Sequence, residues 1–281
     1  MDKTKRLGTI ARENAVFDAY LKLWNLLPDG EPIATQSSDL LPVLYRGSTR
    51  AMLKIARSAE ERFGNALMVW WEGEGAARVL AQQEGALLLE RAMGNKSLTT
   101  TAQAGGDASA TRIICGVAAK LHAERPEPVP ELVPLKRWFE ELTPAAGRVG
   151  GVLRESLEAS RELLDDPRDV VVLHGDLHHG NVLDGGDRGW LAIDPKALIG
   201  ERAFDFANIF CNPDLRTATA PGRLAKQSMI VADAAHIDRA RLLKWILAYA
   251  GLSAAWSLGS NDGDPACALS IAEIAALELN N

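Results

Sequence analysis

Several things are scarce in this chain. Three cysteines occur in 281 residues, Cys115, Cys211 and Cys267; odd in number, far apart and without metal-ligand spacing, they argue against a disulfide framework or zinc knuckle and for free thiols. No uninterrupted apolar run reaches membrane-spanning length, and the opening MDKTKRLGTIARENAVF has no apolar core of signal-peptide length. A cytoplasmic protein with no membrane partner is expected. A basic excess is missing too: the formal net charge is -6 and the pI near 5.5, which argues against a nucleic-acid partner. The deficit is uneven, with 12 acidic and 12 basic side chains in residues 1 to 94 but 25 and 19 in the rest. A surface that attracts cations therefore belongs to the second part, and a small or cationic partner fits best.

What is present is an ordinary globular composition, 47% hydrophobic, long enough for one large domain or two lobes and without internal repeats. Ile10, Phe17, Leu21, Trp24 and Leu27 fall near helical spacing, and Pro28-Asp29-Gly30 then makes a turn. From Ile33 to Ile55 the short runs IAT, LLPVLYR and AMLKI read as strands of a small antiparallel sheet. Ser58 with Glu61 offers a capping box for a helix through Trp70. AARVLAQ and GALLLERA are two further strand candidates. After Gly94 the pattern turns helical, over Ser109 to His122, Leu153 to Leu164 and an apolar tail from Ile237 to Leu279, so residues 1–94 and 95–281 are the expected lobes.

The segment with the most chemistry is Val170-Val171-Val172-Leu173-His174-Gly175-Asp176-Leu177-His178-His179-Gly180-Asn181-Val182-Leu183, followed by Trp190-Leu191-Ala192-Ile193-Asp194-Pro195. The β-branched run predicts a buried strand, and the segments around VL and WLAI can pair as a hairpin across Asp184-Gly185-Gly186-Asp187. The open ends of an antiparallel hairpin adjoin, so Asn181 and Asp194 bring an amide and a carboxylate oxygen to one place. That donor set suits Mg2+, which is commonly held by few protein groups together with substrate phosphates. Asp176, five residues before Asn181, stands where a kinase catalytic loop carries the carboxylate that receives the proton of the attacking hydroxyl.

His174-Gly175-Asp176 to Asn181 with Ile193-Asp194-Pro195 resembles the aminoglycoside phosphotransferase branch of the protein-kinase-like fold. More narrowly, LHGDLHHGNVL, GWLAIDPKALIGE, FDFAN and AYAGLSAAW are similar to the aminoglycoside 6-phosphotransferase and hydroxyurea kinase group. The resemblance implies an α+β bilobal fold with a small antiparallel-sheet N-lobe and a larger, mainly helical C-lobe. It implies ATP as donor, with GTP left open, and Mg2+. Carried over by position, Asp176 is the base, Asn181 and Asp194 are metal ligands, and Lys54 contacts the α and β phosphates. Glu61, or Glu60 beside it, pairs with Lys54. The Glu90 carbonyl and Ala92 amide read adenine, and His174 and Asp205 brace the catalytic loop. The implied reaction is phosphorylation of an aminoglycoside hydroxyl, streptomycin-like at position 6, or of hydroxyurea or another small hydroxylated metabolite.

The chain also departs from protein kinases. GxGxxG is absent, and Thr35-Gln36-Ser37-Ser38 would have to cover the phosphates through backbone amides or the Ser37 and Ser38 hydroxyls. Asp194-Pro195-Lys196 stands for Asp-Phe-Gly, without an activation-loop signature, which disfavours a protein substrate. Glu201, Asp262, Asp264 and Glu273 are candidates for an acidic pocket, and His178 for the substrate side of the loop. Simpler roles compete: Asp205 as a helix N-cap, the tryptophans including Trp245 and Trp256 as core, each acidic candidate as a solvated charge. Other classes compete too, a zinc site built from His174, His178 and His179 or a nucleotide-binding module without catalysis.

Overall fold

The computed structural model describes residues 16–35, 37–260 and 263–280. The N-terminal part is an antiparallel sheet, β1 (Leu26–Pro28), β2 (Ile33–Ala34), β3 (Ser38–Tyr45), β4 (Thr49–Ala56), β5 (Val79–Gln83) and β6 (Ala86–Glu90), in the order β1-β3-β4-β6-β5 with β2 beside β3. Side-chain alternation explains its text. Ala86 and Leu88 of β6 join Leu41, Val43, Ala51 and Leu53 in a small core, while Leu87 and Leu89 face the large one, so the strand reads as an unbroken apolar run. The same alternation in β4 puts Ala51 and Leu53 in the small core and turns Met52 and Lys54 the other way.

The helix expected over 10–27 is helical over 16–23 among described residues, and the chain is already extended at Leu26, where Leu26 registers with Tyr45. Sheet pairing overrides the helical spacing there. Helix α1 (Ala59–Trp70) connects β4 to β5, its Ser58 cap accepting from the Glu61 amide at 3.3 Å. Only that half of the capping box forms, because the Glu61 carboxylate serves a lysine pair described below.

Beyond Gly94 the chain is mostly helical: α2 (Asp107–Leu121), α3 (Val152–Asp165), α4 (Arg223–Ala235), α5 (Arg239–Gly259) and α6 (Ala266–Leu279) are its longer helices. Trp245, Ile246, Ala248 and Leu252 of α5 are fully buried in the large core, against Phe204 and Phe139. Two short sheets sit on this core. β7 (Val133–Pro134), β11 (Leu198–Glu201) and β8 (Val170–Leu173) form one, and the hairpin of β9 (Val182–Asp184) and β10 (Trp190–Ala192) the other. Backbone bonds from Ala77 to Ala192 (3.0 Å) and from Ala192 to Gly75 (2.8 Å) tie the hairpin to the segment before β5. Gly94 crosses the hairpin so closely that a Cβ there would meet Asp184 Cγ at 1.9 Å.

Candidate active site

β8 ends at Leu173 and delivers His174, Gly175 and Asp176 to the edge of the core. Asp205, buried in the short helical turn Phe204–Ala207, accepts from the backbone amides of His174 (2.8 Å) and Gly175 (2.7 Å) and bonds His122 Nε2 at 2.8 Å. Burial pushes its carboxyl up, but His122, His174 and the Gly175 amide outweigh that and hold it below the usual carboxylate range. The N-cap alternative does not hold, since Asp205 lies inside the turn with its oxygens on the loop. His174 is wholly buried. Its Nδ1 accepts from the Asp176 amide at 3.2 Å, which leaves Nε2–H to donate to the Ile193 carbonyl at 2.9 Å. Burial lowers its pKa despite Asp205 and Asp176. A neutral imidazole thus links the Asp176 loop to the strand before Asp194.

The hairpin forms as expected, with Val182 registered on Ala192 and the Ile193 amide donating to the Asn181 carbonyl at 3.0 Å. Asn181 and the residue before Asp194 are therefore neighbours across the ladder. Asn181 Nδ2 donates to the Asp176 carbonyl at 2.8 Å and to its Oδ2 at 3.0 Å, which turns the Asn181 amide oxygen away from Asp176. Asp194 adopts a left-handed backbone, φ +58°, a sparsely populated conformation for a non-glycine residue.

Lys54, 3% exposed, reaches this point from β4. Its Nζ lies 2.7 Å from Glu61 Oε2 and 2.6 Å from Asp194 Oδ1. Glu61 is therefore a partner of the lysine, and the Glu60 side chain lies outside those described. Lys196 Nζ meets the other Glu61 oxygen at 2.7 Å. Burial raises the Glu61 carboxyl, yet Lys54 and Lys196 together bring it down to about 2. The i, i+3 partner of Glu61 on α1 is Gly64, where a Cβ would stand 2.1 Å from the Pro195 carbonyl oxygen; only glycine lets the helix lie against the residue after Asp194.

The donor set at the hairpin mouth, one amide oxygen and one carboxylate, is chemically suited to Mg2+ rather than to a softer metal. The histidines do not converge on a zinc site. His174 is committed as above, His178 Nδ1 accepts from the Gly180 amide at 3.1 Å, and His179 is turned 3.8 Å from Asp107. Among the described residues no three His, Cys, Asp or Glu side chains come together as a metal set. His178 Nε2 lies 3.7 Å from Asp176 Oδ1, and burial lowers its pKa although Asp176 raises it.

Other expectations are corrected. Glu201 does not line a pocket: it is buried, accepting from Arg241 Nε (2.7 Å), Trp245 Nε1 (2.8 Å) and the Arg168 amide (3.0 Å). It registers with Val170, at the end of β8 opposite Asp176. Ser38 does not present its hydroxyl to phosphates; Oγ donates to Glu61 at 3.4 Å and the Ser38 amide to Thr35 Oγ1 at 2.9 Å. Ser37 is half-buried in the same turn, its carbonyl taken by the Arg57 amide. Asp264 accepts from the Ala266 amide at 2.9 Å and so starts α6, Glu273 is exposed on that helix, and Asp262 and Gln36 lie outside the described residues. Glu90 ends β6 with its side chain on the Arg78 amide and Arg188. Ala92 follows, half-buried, in the extended connector.

A cavity of about 870 Å³ opens beside Asp176 and Lys196, walled by Trp138, Tyr249 and Trp256 and rimmed by Glu131 and Glu141. Trp138 and Trp256 meet edge to face at 5.1 Å, so Trp256 is partly a cavity wall and not only core. Nothing in the spacing of the sequence marks these acids, because the segment 131–141 reaches Asp176 only through β7 and β11. A second hollow of about 640 Å³, between Asp107 and Asp214, includes neither Asp176 nor Asp194 in its lining.

A sheet lobe carrying an invading lysine, a helix carboxylate that pairs with it, and a helical lobe carrying the Asp176, Asn181 and Asp194 set define the bilobal protein-kinase-like fold. The fold is shared, at 14% identity and a TM-score of 0.66, with a thermostable mutant of an aminoglycoside phosphotransferase solved with AMP-PNP and hygromycin B, over 95% of this chain and 100% of that one. Residues 23–262 match the model of the aminoglycoside/hydroxyurea antibiotic resistance kinases, and the chain belongs to that family. It is 51% identical over 244 residues to a streptomycin 3''-kinase of Klebsiella pneumoniae, covering 85% of this chain and 91% of that protein. With a streptomycin 6-kinase of Streptomyces glaucescens it shares 29% over 281 residues, covering 92% and 87%.

Proposed function

We propose that the chain transfers the γ-phosphoryl group of ATP, with Mg2+, to a hydroxyl of a streptomycin-type aminoglycoside. The observation that carries this reading is Asp176 lining a cavity with acidic and aromatic walls while its loop partner Asn181 adjoins the Lys54–Asp194 pair. In this reading the nucleotide lies between residues 1–94 and 95–281, its adenine at Glu90 and Ala92 and its α and β phosphates at Lys54, which Glu61 holds in place. Asn181 and Asp194 would hold Mg2+, which when bound would neutralise the charge that develops on the phosphates. Asp176 orients the acceptor hydroxyl and takes its proton as the O–P bond forms and ADP departs. A strong base is not required, because the transition state is loose and positioning dominates. The added phosphate places negative charge on a polycation, the basis of a resistance role.

The 51% relative is a 3''-kinase, and this favours the 3'' hydroxyl over the 6 hydroxyl expected from the sequence. The test is phosphate transfer from labelled ATP to streptomycin, other aminoglycosides and hydroxyurea, with and without Mg2+, and NMR of the product to locate the ester. Mg2+-dependent transfer to streptomycin at 3'' is expected. Transfer to hydroxyurea alone, or to nothing in the panel, refutes the reading.

A further inference from the structure

Each oxygen of the Asp176 carboxylate meets a side-chain amide. Asn181 Nδ2 serves Oδ2, and Asn208 Nδ2 serves Oδ1 at 2.8 Å. Asn181 has a second task at the metal, whereas Asn208, 5% exposed, has none in the mechanism above. A primary amide can present either end, and an oxygen turned to a carboxylate would repel it. Asn212 decides which end faces the base. Its Nδ2 donates to Asn208 Oδ1 at 2.9 Å and to the Asn208 carbonyl at 3.0 Å, so the Asn208 oxygen is held on the far side and its NH2 must face Asp176. The two asparagines are four residues apart: Asn208 opens the single helical turn Asn208–Cys211 that follows Phe204–Ala207, and Asn212 ends it. That turn is packed in the large core by Ile209 and Phe210.

We propose that Asn212 and Asn208 form an amide relay that positions the Asp176 carboxylate for the acceptor hydroxyl. Neither is a catalytic residue; Asn208 fixes the plane of the base, and Asn212 fixes the polarity of Asn208. The relay stands on the kinase reading of the same site, and it gives the FDFAN segment a role besides the Asp205 brace. A neutral donor is suited to the task, since a lysine or arginine there would compete with the cationic acceptor for the carboxylate.

The experiment compares Asn208→Ala, Asn212→Ala, Asn212→Asp and the double variant Asn208→Ala/Asn212→Asp in streptomycin phosphorylation. Asn208→Ala lowers kcat by roughly 10- to 100-fold, the scale of a misaligned reacting group, with the KM for ATP within about twofold. Asn212→Asp replaces the donor with an acceptor, so Asn208 turns its NH2 away and its oxygen toward Asp176. Its loss equals or exceeds that of Asn208→Ala, while Asn212→Ala costs only about threefold. In the Asn208→Ala background Asn212→Asp adds nothing further, the non-additivity of a shared path.

The relay is refuted if Asn212→Asp is no worse than Asn212→Ala, or if the losses multiply, in variants whose thermal unfolding matches wild type. An NMR readout stands apart from turnover: Asp176→Ala and Asn212→Asp should each shift the Asn208 side-chain amide resonances. Unmoved resonances overturn the relay, whereas a wild-type protein that phosphorylates nothing in the panel overturns only the functional reading.

Discussion

A buried lysine costs several kcal/mol unless anions meet it, and Lys54 meets Glu61 and Asp194. Glu61 in turn is held by two lysines, which keep its carboxyl at about 2 rather than its ordinary 4.5. A depressed carboxylate stabilises the fold above its unfolded pKa, and that contribution disappears as pH falls through the folded value. The unfolding free energy from urea titrations should therefore drop between about pH 5 and 2, by at most roughly 3 kcal/mol from this group. Glu61→Gln should flatten that part of the curve, and an unchanged slope would count against the pair. On the proposed role of Asp176 as base, Asp176→Asn should lower kcat by roughly 10²- to 10⁴-fold with ATP binding within about twofold by calorimetry. That Asp176, Asn181 and Asp194 come together was legible from spacing because loop and hairpin are local. Ser38 and Glu201 were not, because their partners Glu61 and Arg241 lie 23 and 40 residues away.

Elements were read well where one period dominated. β3, β4, β5 and β6 lie where alternation or apolar runs put them, and α2 and α3 end within about two residues of the expected bounds, the usual scatter. The first helix was overextended because Leu26 serves both a helical spacing and the edge of the sheet. Helix α1 matters most to the site, since it must lie flat on Pro195 to bring Glu61 to Lys54. Gly64→Ala would set a methyl against the Pro195 carbonyl. Overpacking of this kind costs about 1–3 kcal/mol, so the melting temperature should fall by several degrees and the KM for ATP should rise. A variant with wild-type melting and kinetics would show that the helix is free to move there.

Across the whole molecule, the acidic surplus after Gly94 is put to two separate uses. Glu201 and Asp205 are buried and brace the framework, while Glu131 and Glu141 stay exposed at the rim of the Asp176 cavity. Exposed carboxylates attract a polycation through a field that salt screens over about 8–10 Å. Glu131→Gln and Glu141→Gln should each raise the KM for streptomycin about three- to tenfold while kcat and the KM for ATP hold. The effect should shrink at 0.5 M salt. Equal KM values in wild type and both variants would place the acceptor elsewhere.

The sequence by itself determined that Asp176, Asn181 and Asp194 meet, and the two kinds of lobe, because a loop followed by a hairpin places its own residues within a few positions of one another. It also carried the likeness that the family match bears out. Only the tertiary structure decided which carboxylates brace and which face the Asp176 cavity. It alone showed that Asn208 and Asn212 stand behind Asp176. Burial and long-range pairing set those roles, and identical side chains carry no mark of them in the text.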